Sequence, residues 1–148
     1  MNDFLLHHSL TVLFVLSFLA ATILPLGSEW LVVTLILQAH QIEDVVIVAT
    51  LGNFLGACTT YGIGLWGSSF LVTKILRIDE ARFNKTVLLY RKYGSWSLLL
   101  SWVPVIGDPL CLVSGSFRLN FLMFSLLTFS GKLARYIVVA AVTVSTMG

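Results

Sequence analysis

Charge is scarce in this chain. Its 148 residues include nine Lys or Arg and seven Asp or Glu, 11% of the total, against 57% hydrophobic residues and a mean hydropathy of +0.94. A soluble domain of this length leaves too much surface in water for so apolar a composition, so that class is excluded. The expectation is an all-α polytopic membrane protein, a single domain over 1–148. No Lys or Arg precedes Lys74, and the first six residues carry the acid Asp3 instead, which argues against a cleaved signal peptide over 1–24. Cysteine is rare too. Cys58 and Cys111 lie in separate apolar runs and read as small buried hydrophobes, not as a disulfide or metal pair. His7, His8 and His40 have no ligand spacing beyond the adjacent pair and read as interface-facing. There is no Gly-rich phosphate loop with a lysine, no zinc-spaced set and no Ser/His/Asp trio, so neither an enzyme, a cofactor nor a metal is expected.

Proline is also scarce, and where it occurs matters. Pro25-Leu26-Gly27-Ser28-Glu29 and Pro104-Val105-Ile106-Gly107-Asp108-Pro109 each place a helix breaker and then an acid inside apolar sequence. A carboxylate at membrane depth is costly and functional by default, and a Pro/Gly break beside it makes a helix stop and restart. Paired interruptions of this kind are the sequence signature of a site between broken helices. Asp108 before Pro109 predicts a helix start capped by the acid, and Ser28 could cap the other restart, with Glu29 just inside. Acting as caps is the structural alternative for both carboxylates, since helix starts favour negative charge.

Residues 4–39 read as a first re-entrant helical hairpin, because 30–37 is too short to cross a core of ~30 Å. One long kinked crossing is the alternative. Residues 45–67 hold no charge and make a spanning helix. Along it Gly52, Gly56, Thr60, Gly64 and Ser68 recur every four residues, a smooth face for close helix packing within the chain or against a second copy. Residues 70–93 carry Lys74, Arg77, Arg82, Lys85, Arg91 and Lys92 around apolar stripes, with Asp79 as a candidate N-cap. That is the pattern of a basic amphipathic segment on the cytoplasmic surface, and it makes nucleic acid a poor partner. Residues 94–117 form a second hairpin and 119–144 the last span. The two hairpins then enter from opposite faces with both chain ends outside. Four plain spans with both ends inside satisfy the charge bias equally.

Lys132 and Arg135 lie three apart on one face of the last span and need counter-charge there, for which Glu29 and Asp108 are the nearest candidates. With the acids protonated, the cations could hold a phosphate headgroup; otherwise the four form a static cluster.

Three blocks in order then carry a resemblance: Leu24-Pro25-Leu26-Gly27-Ser28-Glu29; Gly52, Gly56, Tyr61, Gly64 and Gly67; and Gly94, Trp102-Val103-Pro104, Ser114-Gly115 and Gly131. The chain resembles the DedA superfamily, whose members carry the SNARE-associated or VTT domain, and within it the YqaA branch. The resemblance implies two opposed re-entrant hairpins and movement of lipid across the bilayer, of undecaprenyl phosphate in bacterial members and of phospholipid in eukaryotic relatives, with links to the proton-motive force. It implies a bacterial inner-membrane location and membrane lipids as partners, with a homo-oligomer as an open possibility. Where the larger family has acids, this chain has Ala20, Ala21 and Ala57; where arginines flank the second-tip proline, it has Ser101 and Gly107. Headgroup binding would then fall to Arg118, Lys132 and Arg135. A non-transporting scaffold and a small-solute or proton exporter are the rival functions.

Overall fold

The computed structural model describes residues 2–22, 28–38, 41–67, 79–103 and 106–148, and these are helical throughout with no strand. Among the described residues six α-helices follow one another: α1 (Asn2–Thr22), α2 (Glu29–Leu37), α3 (Ile42–Trp66), α4 (Glu80–Tyr93), α5 (Gly107–Ser116) and α6 (Phe121–Met147), with a 3₁₀ segment, Gly94–Trp102, between α4 and α5. Among the described residues, α3 and α6 are the helices long and apolar enough to cross a membrane. Pro25, Gly27 and Pro104, and with them the tips themselves, lie outside the described residues, as do Ser68, Lys74, Arg77 and His40.

Both long helices begin where local chemistry favours it. Glu43 and Asp44 occupy the first turn of α3, against the positive end of the helix dipole. Asn120 caps α6, its side chain accepting from the Leu122 N–H at 2.9 Å. α4 stops at Gly94, whose φ of +63° an L side chain would resist. Asp79 stands at the start of α4 but makes no side-chain capping bond. The turn out of α5 closes with Leu119 N–H to Ser114 C=O at 3.0 Å and Arg118 N–H to Gly115 C=O at 2.9 Å. That is a Schellman cap with Arg118 in the left-handed position, φ 54°.

Two apolar cores share α3 and α6. The first joins Leu13, Val32, Leu35 and Ile36 to Val45, Val46 and Ala49 near the start of α3 and to Tyr136 and Ala140 of α6. The second joins Ala57 and Tyr61 of α3 to Tyr90, Leu98, Leu110, Cys111, Val113 and Phe124. The start of α3 therefore packs on the second half of α6, and its end on the first half, so the two run antiparallel. α1 runs alongside α3 in the same direction: Gly52 faces Phe14 and Ser17, Gly56 faces Phe18 and Ala21, and the Thr60 hydroxyl donates to the Ala21 carbonyl at 2.9 Å. Further along the ladder, Gly64 meets the Leu112 carbonyl while Gly115 meets that of Tyr61, so α3 and α5 cross backbone to backbone. The small-residue face is thus filled by α1 and α5 of the same chain.

Some local expectations change. The apolar run before the second break is a tight 3₁₀ segment, with the Ser97 hydroxyl donating to the Gly94 carbonyl at 2.7 Å. α5 begins at Gly107, so Asp108 sits inside the first turn instead of capping it, and Pro109 is third in the helix. Both cysteines are free, Cys111 buried and Cys58 half-buried.

Candidate functional site

The short helices α2 and α5 carry an acid in their first turn, and both first turns abut the middle of α6. Glu29 opens α2 and pairs with the Arg135 guanidinium. Asp108, second in α5, lies 3.2 Å from the Lys132 ammonium. The counter-charges anticipated for the two cations are therefore in place. From these meeting points the helices diverge. α2 runs toward Val45 and Ala140, whereas α5 runs toward Gly64, with Phe117 stacked on Tyr90 at 5.1 Å.

Position along the helix gives this meeting its meaning. Counting from Ile42 and from Phe121, Asn53 and Lys132 are each twelfth, in helices of 25 and 27 residues. At 1.5 Å per residue each lies roughly 16 Å from the start of its helix, about the half-thickness of a hydrocarbon core. Lys132 is fully buried there, and its ammonium donates to Asn53 Oδ1 as well as to Asp108 Oδ1. Arg135, one turn on, has its guanidinium carbon 5.9 Å from the centre of the Tyr136 ring. The Tyr136 hydroxyl shares a 2.6 Å hydrogen bond with Ser28 Oγ.

Ser28 spends its hydroxyl on that bond instead of capping α2. It ties the start of the helix to α6 beside the Glu29–Arg135 pair. Gly107 and Ser101 touch each other, and a Cβ at 107 would run into the Ser101 carbonyl. These two positions leave no room for arginine side chains as the backbone stands. Arg118 is exposed in its Schellman turn and is not among the groups that meet on α6. The site therefore gathers Glu29, Asp108, Lys132 and Arg135 and leaves Arg118 outside. Tyr90, beyond the spanning helices, has its phenol pushed above its ordinary pKa by burial, with Tyr61 adding to the effect.

Asn53 and Tyr136 are the members that sequence reasoning passed over. Asn53 was legible in principle: a lone amide amid an uncharged span must find a partner in lipid. Tyr136 gave no such signal, because a tyrosine beside an arginine in an apolar helix is ordinary core material.

The VTT domain family model matches residues 9–145. The chain belongs to the VTT-domain family. Among its relatives, inner membrane protein YqaA of Escherichia coli (strain K12) is 40% identical over 140 residues, covering 94% of each chain. YqaA of Shigella flexneri matches with the same figures. An uncharacterized protein of Haemophilus influenzae is 38% identical over 145 residues, which is 91% of this chain and 87% of the relative. No solved structure matches the chain. It is thus an inner-membrane protein of the DedA group, with two helices long and apolar enough to cross a membrane among its described residues.

Proposed function

We propose that this VTT-domain protein carries the anionic headgroup of a lipid or lipid carrier across the inner membrane, through a site between two opposed re-entrant hairpins. The observation that carries the reading is the meeting of two acid-bearing helix starts on two cations half-way along a spanning helix. Ionisable residues at that depth are rare and mark ion or substrate pathways. α1 with α2 forms the hairpin that opens at the start of α3; the 3₁₀ segment with α5 forms the one that opens at its end. Glu29 and Asp108 exchange protons with the two sides. When they are protonated, Lys132 and Arg135 lack counter-charge, and a phosphate headgroup supplies it. When they ionise again, the headgroup is displaced. The α4 segment, with Arg82, Lys85, Arg91 and Lys92 exposed, lies on the cytoplasmic surface. The small-residue ladder is occupied within the chain, which weakens a scaffold built on it.

The test is purified protein in vesicles containing a fluorescent phospholipid, with a quencher added outside. Wild-type protein is expected to move the probe faster than empty vesicles do, in proportion to an imposed pH gradient, with polyprenyl phosphate competing. A pH dye that responds while the lipid probe stays put would turn the reading to a proton antiporter or small-solute exporter. In a background without Cys58 and Cys111, single cysteines at Trp30 and Ile106, both exposed, test the hairpins, since labelling of each from one face only, opposite for the two, is the expected pattern. Gly107 is unsuitable for such a label, because any side chain there meets Ser101.

A further inference from the structure

The two ion pairs differ in what remains for the cation when its acid is neutralised. Lys132 has two oxygen acceptors, Asp108 Oδ1 and Asn53 Oδ1, which reach it from different helices. If Asp108 takes a proton or swings aside, the Asn53 carbonyl oxygen still faces the ammonium. Arg135 has no such reserve among the described residues. Its carboxylate partner is Glu29, its Nε has no acceptor, and the nearby hydroxyls of Ser28 and Tyr136 are bonded to each other. Neutralising Glu29 would leave a guanidinium against an aromatic face.

We infer that Asp108 is the exchangeable acid of the site, that Asn53 is the positioning residue holding Lys132 while Asp108 is neutral, and that Glu29–Arg135 is a fixed strut. The assignment rests on the proposed proton-coupled site and narrows it: of the two acids given proton exchange there, Asp108 keeps it and Glu29 does not. Accessibility supports it. The Asp108 side chain is 28% exposed while Lys132 is 0% exposed, so the acid is the less enclosed member of the pair. Glu29 is similarly exposed, at 26%, so access alone does not distinguish the acids; the reserve acceptor does. The other titratable groups facing the Asp108–Lys132 pair are Tyr136 of α6, Cys111 of α5 and, toward Lys132, Cys58 of α3. The 3₁₀ segment Gly94–Trp102 contributes none, and the Tyr61 hydroxyl is committed to the Leu119 carbonyl.

Thermal unfolding of the full chain in detergent tests the strut without reference to transport. Glu29→Gln is expected to lower Tm by about 10 °C, the shift that a stranded buried charge produces in a chain of this size. Asp108→Asn is expected to lower it by less than half as much. In an Asn53→Ala background, Asp108→Asn should cost as much as Glu29→Gln does in the wild type. Equal losses for the two amide variants, or a simple sum in the double variant, would overturn the assignment. Infrared titration tests the exchange. On acidification the carboxyl absorption of the wild type should contain a component that is absent from Asp108→Asn and present in Glu29→Gln, and that Asn53→Ala displaces to more acidic pH, because Lys132 then depends on Asp108 alone. A wild-type minus Asp108→Asn difference spectrum without such a component, or a component that Asn53→Ala leaves in place, would equally defeat it. Both experiments read out even if vesicles show no lipid movement, so failure of the transport proposal and failure of this one are distinguishable.

Discussion

The N-terminal and C-terminal halves of this protein bring an acid-bearing helix start to the same stretch of α6 by different local means. In the first half, α1 approaches as a regular helix of 21 residues, held to α3 through Gly52, Gly56 and the Thr60 hydroxyl. In the second, the approach is a 3₁₀ segment of nine residues that starts at a glycine with positive φ and ends in contact with Gly107. The short helices differ as well. α2 leans on α6 through apolar side chains and the Ser28–Tyr136 bond, whereas α5 lies backbone to backbone on α3. Placing charge at the middle of α6 constrains only where each short helix begins. How the chain arrives there is left to local sequence.

The backbone crossing of α3 and α5 gives the sharpest contrast. Gly115→Leu should abolish recovery of monodisperse folded protein, because a side chain there meets the Tyr61 carbonyl and the Leu65 amide, and neither can yield as a flexible side chain would. Gly62→Leu, two residues before Gly64 on the same helix, has nothing within 4 Å of its Cβ and should fold normally. Size-exclusion profiles of the two variants check this. If both are recovered, the crossing is looser than described and the difference between the halves disappears.

A smaller effect separates two serines, Ser28 before α2 and Ser101 in the 3₁₀ segment. Ser28→Ala removes the partner of a buried tyrosine hydroxyl and should cost about 1–2 kcal/mol. Ser101→Ala gives up only a 3.4 Å contact with the Thr128 carbonyl and should cost less than about 0.5 kcal/mol. Denaturant titration in mixed micelles would order them. Equal costs would mean that α2 is not tied to α6 more firmly than the 3₁₀ segment is.

The smallest effect concerns Arg118. As a left-handed cap residue outside the site, it should tolerate Arg118→Gly with unchanged lipid movement and a stability gain of up to about 1 kcal/mol, because glycine adopts that backbone without strain. A loss of transport with stability intact would return Arg118 to the headgroup site.

Much of this was legible in the chain. Composition and run length marked the spans, since lipid tolerates few charges and a fixed rise per residue sets the length required. The spacing of Gly52, Gly56, Thr60 and Gly64 marked the packing face, and counter-charge logic paired both cations with Glu29 and Asp108. Capping chemistry was misjudged at Asp108 and Ser28. Local rules assume the helix end is free to choose its own partner, and here α6 supplied better ones: a lysine for the acid and a tyrosine hydroxyl for the serine.

Apolar content and the presence of two acids and two cations within apolar stretches were settled by sequence, because a charge stands out wherever side chains are chosen for what they cost in hydrocarbon. Which acid meets which cation, that Asn53 stands behind Lys132, and that α5 rather than a second copy fills the far end of the glycine face were decided only by tertiary structure. Those are contacts between helices distant in the chain, and local propensity carries no record of them.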